Sequence, residues 1–243
     1  MNTKKSFLLM ASMIVFSSCL INSRTIEGNG KVVTRNIAIT DYKELNVGGS
    51  VDVEYEESAA APFLSITLDE NLFEYIRAEV EGSELKIGPK RENGVGVNIR
   101  PTVFKAKTNS RMLEEVSLSG SGNINARNIS ASSSFEANLS GSGNMNIERI
   151  NVKDLECSLS GSGNIRISGS TGKAEYNLSG SGNIKAADCQ AERAEASLAG
   201  SGDIQLHASS TLEASIVGSG NVLYKGNPQL KSSKIGSGSI KSF

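Results

Sequence analysis

Hydrophobic and polar residues alternate along the second half of the chain, in short runs that meet at the tripeptide Gly-Ser-Gly. Around the first tripeptide, Val116 and Leu118 precede the corner while Ile124 and Ala126 follow it, with polar residues between them. An alternation of period two is typical of a β-strand with one buried face. The pattern predicts one strand on each side of every tripeptide, and no sustained helical periodicity follows residue 105.

The tripeptide recurs at intervals of 18 to 21 residues. A period near twenty without long apolar helical runs predicts a solenoid, in which each strand–corner–strand unit stacks on the next. Glycine suits such a corner because it tolerates positive φ and the close approach of another backbone. The seven first glycines of these corners are Gly120, Gly141, Gly161, Gly180, Gly200, Gly218 and Gly236.

The predicted fold is therefore all-β, a single-stranded parallel β-helix with about 20 residues per rung. Residues 111–243 contain the regular repeats. Within them Lys231–Phe243 is the predicted C-terminal cap, because polar residues replace apolar ones there and a polar cap blocks end-to-end stacking. Residues 31–110 alternate less regularly and are predicted to form longer, irregular rungs of the same stack, with a separate β-sandwich as the alternative.

Two local features stand out in this first part. The segment Asp69–Ile76 predicts one short helical turn with Asp69 as its cap. The segment Arg77–Ile87 predicts a hairpin around Gly82. A short copy of the later corner is expected at Gly48-Gly49-Ser50-Val51.

Stacking places like positions about 4.8 Å apart, so that they form ladders along the solenoid. The third position after the corner glycine is an amide in nearly every rung. Such side chains can hydrogen-bond to one another and to the corner backbone, which predicts a structural role. These residues are Asn123, Asn144, Asn164, Asn183, Asp203 and Asn221.

The fifth position before the corner glycine is glutamate in six successive rungs. Stacked carboxylates repel one another, by roughly 1 kcal/mol or less for each exposed pair. Lys173 and Arg193 are the candidate counter-charges on the same face. A solvated face, a bound cation and a basic partner are the alternatives, and a binding role would fall on Glu115, Glu136, Glu156, Glu175, Glu195 and Glu213.

The first nineteen residues form a leader: Lys4 and Lys5 precede the apolar stretch Phe7–Phe16, and two serines precede Cys19. The apolar stretch is too short for a membrane span and typical of a secretory signal. The ending resembles a bacterial lipobox, although Phe16 replaces the usual leucine, so lipidation of Cys19 is predicted, with ordinary secretion as the alternative. Two or more acyl chains would anchor the protein stably. Residues 20–30 are the predicted linker, and both the periplasmic and the surface face remain open.

Charge and reactive residues exclude several classes of function. Lys and Arg number 25 against 26 Asp and Glu, without a basic run, so nucleic acid is not an expected partner. The single histidine, His207, supports neither a zinc site nor a catalytic triad. No cofactor or metal is expected. Cys157 and Cys189 either pair in an oxidising compartment or are small buried side chains, and the repeat register favours the second interpretation for Cys157.

Three stretches together resemble the head GIN domain family of autotransporter adhesins, found in secreted or lipid-anchored proteins of Bacteroidota. They are V-G-G-S-V-D-V-E-Y, L-D-E-N-L-F-E-Y-I-R-A-E-V-E-G-S-E-L-K-I-G and the repeated L-S-G-S-G-N-I. The resemblance covers residues 35–240 and implies a β-helical domain with no catalytic residues to transfer.

Three functions remain in view. The favoured hypothesis is a lipid-anchored protein of the cell envelope or outer membrane that binds a glycan or protein, without enzyme activity. The second is a structural scaffold, which a homo-oligomer would support. The third is a carbohydrate-active enzyme, with Asp52 or Asp69 as the acids outside the repeat.

Overall fold

The computed structural model describes residues 25–92 and 95–243, and the predicted leader with Cys19 lies outside them. Nearly all regular structure in the described residues is β, as the alternation predicts. One 3-10 helix, Glu70–Tyr75, interrupts it. The strands are β1 (Thr25–Glu27), β2 (Val32–Ile37), β3 (Glu44–Gly49), β4 (Asp52–Glu57), β5 (Leu64–Asp69), β6 (Ile76–Glu81), β7 (Glu84–Pro89), β8 (Arg91–Glu92), β9 (Val95–Gly96), β10 (Asn98–Arg100), β11 (Phe104–Ser110), β12 (Glu115–Gly120), β13 (Asn123–Arg127), β14 (Ser134–Gly141), β15 (Asn144–Gly161), β16 (Asn164–Gly180), β17 (Asn183–Gly200), β18 (Asp203–Gly218), β19 (Asn221–Lys225), β20 (Gln229–Ile235) and β21 (Ser239–Ser242).

The strands build two long faces that meet at the glycine corners. Face 1 carries the segments that run into a corner: β3, β12, β14, the last parts of β15 to β18, and β20. Face 2 carries the segments that leave it: β4, β13, the first parts of β15 to β18, β19 and β21. Each segment pairs in parallel with its counterpart one rung away, as Leu139 does with Leu118 and Leu159. The predicted parallel β-helix, with its spacing of about twenty residues, is confirmed.

The interior is filled by the apolar positions of the alternation. Leu and Ile columns run through both faces and are almost completely inaccessible to solvent. One column changes size along its length: Tyr176 lies between Cys157 and Ala196, its partners in the adjacent rungs. Small neighbours leave room for the phenol ring, which is how a narrow core accommodates an aromatic side chain without a cavity.

The irregular first part extends the same two faces. On face 1, β7 pairs in parallel with β3, and β6 pairs antiparallel with β7. On face 2, β11 pairs in parallel with β4, and β5 and β2 follow in antiparallel order. The predicted hairpin is thus β6–β7, with Gly82 at φ +63°. The antiparallel pairing of β5 with β11 and with β2 had no signal in the alternation, because a period of two is the same in either direction.

The predicted helical turn is present, but its predicted cap is wrong. Asp69 makes no capping hydrogen bond to the 3-10 helix. Its buried carboxylate accepts hydrogen bonds from the backbone nitrogens of Gly30 (2.8 Å) and Thr102 (2.7 Å) and from the Thr102 hydroxyl (2.9 Å). The side chain of Asp69 therefore connects the N-terminal segment, the end of β5 and the loop before β11.

The last rung is made by β20 and β21, which pair with β18 and β19. Ser232 and Lys234 occupy positions that Ala214 and Ile216 fill in the preceding rung. The Lys234 ammonium donates a hydrogen bond to the carbonyl oxygen of Gly238 at 2.8 Å. The polar residues of the predicted cap thus lie within an additional rung at the end of the stack.

Candidate binding surfaces

The corners are held together by backbone contacts. The first glycine of each corner has a φ between +118° and +141°. A Cβ atom on either glycine of a corner would overlap backbone of the preceding rung, which for Gly163 is the carbonyl oxygen of Gly143. The corner backbone also forms hydrogen bonds between rungs, such as that from Ser142 N to Gly120 O at 3.0 Å. Both properties expected of the corner glycines, positive φ and close approach, are present.

The amide ladder lies on the outer side of face 2, directly after the corners. Asn144, Asn164 and Asn183 each donate a side-chain hydrogen bond of 2.9 Å to the asparagine one rung earlier. Asn123, the first amide of the series, donates its side-chain hydrogen bond to the carboxylate of Asp52. A second series starts at Asp203, which accepts from Asn221 at 2.8 Å. Because each amide carries both a donor and an acceptor, the ladder satisfies itself without a ligand.

The acidic ladder lies on the outer side of face 1. The six glutamates expected to stack are in register with one another from rung to rung. Two further carboxylates extend the series, since Glu44 pairs with Glu115 and Glu84 pairs with Glu44. Sequence reasoning missed both, although Glu44 occupies the fifth position before Gly49, as the six predicted glutamates do before their corner glycines.

Most of the predicted glutamates have a hydrogen-bond donor or a cation as a neighbour. Ser117, Asn138 and Asn177 each donate to the glutamate two residues earlier in the same strand. Lys173 forms an ion pair with Glu195 at 3.2 Å, which confirms one of the two expected counter-charges. The expectation for Arg193 is wrong, because its guanidinium contacts Glu192 on the adjacent position of its own strand. At the C-terminal end, Lys231 contacts Glu213 at 2.7 Å.

Glu156, in the middle of the ladder, receives no hydrogen bond or ion pair from a described residue. Partial desolvation, followed by the charges of Glu136 and Glu175, raises its pKa above the usual range. The described residues contain no group of three His, Cys, Asp or Glu side chains able to hold a metal ion. Five of the six predicted glutamates therefore have a partner within the protein, Glu156 has none among the described residues, and the binding role of the acidic ladder stays a prediction.

A concavity lies elsewhere, on the outer side of face 2 where β11 joins the stack. We call it the polar groove. It has a volume of about 1060 Å³. Its floor is made by the outward side chains of β11, β4, β13 and β15, and the loop of residues 58–63 forms one wall. The side chains used below are Asp52, Glu54, Phe63, Lys105, Lys107 and Asn125.

The carboxylates and the lysines of the polar groove differ in their partners. Asp52 accepts from Asn123, and Glu54 accepts from Asn125 at 2.8 Å. Lys105 and Lys107 are exposed on β11 and form no ion pair or hydrogen bond with the described residues. The groove thus offers free cationic donors beside carboxylates that already have one partner, an arrangement suited to a ligand rich in hydroxyl groups.

Phe63 places an aromatic ring at the rim of the groove and is 48% exposed. Its backbone nitrogen donates to the side chain of Asn109 at 2.9 Å, and its carbonyl oxygen accepts from the Thr108 hydroxyl at 2.9 Å. These bonds fix the end of the loop on β11. An exposed ring beside polar groups combines an apolar face for ligand contact with hydrogen-bonding groups around it. Sequence reasoning missed this site, because it depends on β11 lying next to β4.

The remaining candidate residues do not form a catalytic set. Cys157 and Cys189 are buried free thiols, so the second interpretation of this pair holds in the structure. Burial raises the pKa of both, that of Cys189 to about 12, which keeps them protonated at neutral pH. His207 is half-buried on β18, in register with Lys225. None of the helices in the described residues has the length and hydropathy of a membrane span.

Comparison with known proteins identifies a family that matches most of this chain. A family model described as "Putative auto-transporter adhesin, head GIN domain" matches residues 41–228. Among curated proteins, none matches this chain.

Several solved structures resemble nearly the whole chain. A "putative lipid binding protein" from Parabacteroides distasonis is 42% identical, covers 90% of this chain and 100% of its own, and superimposes with a TM-score of 0.76. A "putative adhesin" from Parabacteroides merdae is 32% identical, covers 90% of this chain and 99% of its own, with a TM-score of 0.69. A "putative adhesin" from Bacteroides fragilis is 25% identical, covers 90% and 100%, and has a TM-score of 0.81.

Proposed function

This chain belongs to the head GIN domain family of auto-transporter adhesins, and we propose that it is a non-catalytic, adhesin-like module that binds a glycan in the polar groove. The observation that carries the proposal is the groove itself: a concavity of about 1060 Å³ that contains an exposed aromatic ring and two lysines without an ion-pair partner among the described residues. The corners, the core and the amide ladder are satisfied internally and leave few groups for a ligand.

A glycan fits the groove better than a protein partner does. Saccharide hydroxyl groups can both donate and accept, which matches the alternation of Lys105 and Lys107 with Asp52 and Glu54 across neighbouring strands. Phe63 supplies the apolar contact for a sugar ring. A protein interface would need a larger apolar centre than this polar surface provides.

We further propose that Cys19 carries a lipid anchor that holds the module in the cell envelope. The leader preceding Cys19, with its two lysines, its apolar stretch and the two serines before the cysteine, supports this proposal. Changing Cys19 to Ser should move the protein from the membrane fraction to the soluble fraction. An unchanged distribution would contradict the anchor and leave the groove proposal intact.

The test of the groove is a binding screen against neutral and acidic polysaccharides, with the chain from residue 20 onward, which contains every described strand. We compare the wild type with Phe63→Ala, with Lys105→Gln/Lys107→Gln, and with the ladder variant Glu156→Gln/Glu175→Gln/Glu195→Gln. We expect both groove variants to weaken binding at least about tenfold, a loss of about 1.4 kcal/mol, and the ladder variant to bind as the wild type does.

Other outcomes of the screen are equally informative. Loss of binding only in the ladder variant would transfer the site to face 1, where the sequence first suggested it. Binding that disappears with a calcium chelator would indicate a bound cation, which the proposal does not include. A folded wild-type protein that binds nothing would overturn the adhesin-like function, and release of sugar products would show an enzyme instead.

A further inference from the structure

The C-terminal end of the solenoid, residues 217–243, differs in charge from the rest of the chain. It contains Lys225, Lys231, Lys234 and Lys241 and no Asp or Glu, whereas residues 25–216 contain all 26 acidic side chains. A segment with one sign of charge, at one end of an otherwise acidic molecule, creates a local positive potential.

Apolar side chains are exposed at the same end. Of the six large hydrophobic residues exposed in the described chain, four belong to this segment. Val217 and Ile235 are partners in adjacent rungs and are 57% and 69% exposed. Leu230, on β20, and Phe243, directly after β21, are the other two, so the last rung exposes apolar side chains as well as lysines.

The lysines of this end remain available to a partner. The ion pair of Lys231 with Glu213 leaves 79% of the Lys231 side chain exposed. Lys225 approaches Asp188 only at 3.9 Å, and its ammonium lies 5.5 Å from the centre of the Phe243 ring. Lys234 is the exception, since it bonds to the Gly238 carbonyl across the open end of the rung.

A second copy of the chain does not suit this end. Stacking another rung on β20 would require burial of Lys234, which occupies an inward position. Inward-pointing charges are a device by which edge strands avoid pairing with further strands. Lysines around protruding apolar side chains are, by contrast, the combination that binds at the boundary of lipid headgroups and acyl chains.

We infer that the C-terminal end, residues 217–243, docks on an anionic lipid surface, with Val217 and Ile235 entering the headgroup boundary and Lys225, Lys231 and Lys241 facing the anionic headgroups. This site is separate from the polar groove and independent of the proposed glycan binding. Each surface lysine typically strengthens such binding about fivefold, and the interaction weakens as salt screens the charges.

The test is co-sedimentation of the chain from residue 20 onward with vesicles of neutral phosphatidylcholine, with or without one third phosphatidylglycerol. We expect salt-sensitive binding to the anionic vesicles only. The variant Lys225→Gln/Lys231→Gln/Lys241→Gln should lose about 100-fold in partition coefficient. The variant Val217→Ser/Ile235→Ser should lose at least about tenfold. The matched control Lys31→Gln/Lys153→Gln/Lys185→Gln removes the same charge from exposed positions outside residues 217–243 and should bind as the wild type does.

Circular dichroism and thermal unfolding establish that each variant is folded. Equal binding to neutral vesicles, equal loss in the control variant, or no vesicle binding at all would each overturn the inference. Concentration-dependent association in analytical ultracentrifugation, lost in the Val217→Ser/Ile235→Ser variant without any vesicle binding, would assign this end to a second copy instead.

Discussion

The repeat region and the N-terminal region extend the same two faces, yet different groups hold them together. From β12 onward, like residues stack on like residues, and the closest contacts are between the backbones of glycine corners. Before β12, unlike residues meet: Tyr42 with Thr108, Tyr55 with Ser110, and Asp69 with Gly30 and Thr102. In the repeat, each residue finds its partner in the equivalent residue of the next rung. A region without a repeat needs a specific partner for each buried polar group.

The largest loss of stability is expected from substitutions at the corner glycines, where the backbones of adjacent rungs are in contact. A Cβ atom on Gly163 would overlap the carbonyl oxygen of Gly143, which cannot move without breaking the stack. We expect Gly163→Ala to lower the free energy of unfolding by about 4 kcal/mol. Gly48→Ala is the control, because a Cβ atom there meets nothing within 4 Å. Denaturant unfolding measures both, and equal effects would show that close corner packing is not what stabilises the repeat.

The stability of the N-terminal region should depend on the carboxylate of Asp69. Burial alone would raise the pKa of Asp69, but hydrogen bonds from Thr102 and Gly30 outweigh it and lower the pKa below its usual value. Asp69→Asn should therefore reduce the free energy of unfolding at pH 7 by about 2 kcal/mol, the typical contribution of a hydrogen bond to a charged group.

The pH dependence of Asp69 has a definite sign. A carboxyl with a lowered pKa in the folded state stabilises the fold above its unfolded pKa, near 4, and loses this contribution as the pH falls through the folded pKa. The stability difference between the wild type and Asp69→Asn should therefore shrink below about pH 4. Urea unfolding between pH 3 and pH 7 measures it, and a difference that stays constant with pH would contradict the assignment.

Two buried tyrosines should respond in opposite directions to loss of the hydroxyl. The Tyr176 hydroxyl, in the repeat, lies beside the Cys189 thiol and is the one buried side-chain oxygen or nitrogen without a hydrogen-bond partner in the described residues. The Tyr42 hydroxyl bonds to Thr108 at 2.8 Å. We expect Tyr176→Phe to raise the free energy of unfolding by about 0.5–1 kcal/mol, and Tyr42→Phe to lower it by about 1–2 kcal/mol. Thermal unfolding of both variants tests this, and a loss in Tyr176→Phe would reveal a partner for its hydroxyl.

The smallest effect is expected on the acidic ladder. Because the pKa of Glu156 is raised in the folded state, its ionised form destabilises the fold at neutral pH. Glu156→Gln should raise the free energy of unfolding by at most about 0.5 kcal/mol at pH 7, since these charges are exposed and screened. The gain should vanish below about pH 4.5 and in high salt. Glu213→Gln, which removes the partner of Lys231, should show no gain, and equal gains in both variants would contradict the pairing.

The sequence alone determined the repeat. Alternation of period two, with Gly-Ser-Gly at intervals of 18 to 21 residues, indicates strands, corners and both ladders, because translation along the stack carries each position onto its own copy. Glu44 could have joined the acidic ladder on the same reasoning. The hairpin around Gly82 was also predictable, since its turn residues are local in sequence.

Only the tertiary structure decided the rest, because the contacts involved join segments that share no period. The carboxylate of Asp69 could not be assigned from its neighbours in sequence, since its partners Gly30 and Thr102 are more than thirty residues away. The polar groove arises because β11 lies beside β4, which brings Lys105 next to Asp52. Alternation shows which face of a strand is buried, but not which strand lies beside it or in which direction, and the polar groove depends on that choice.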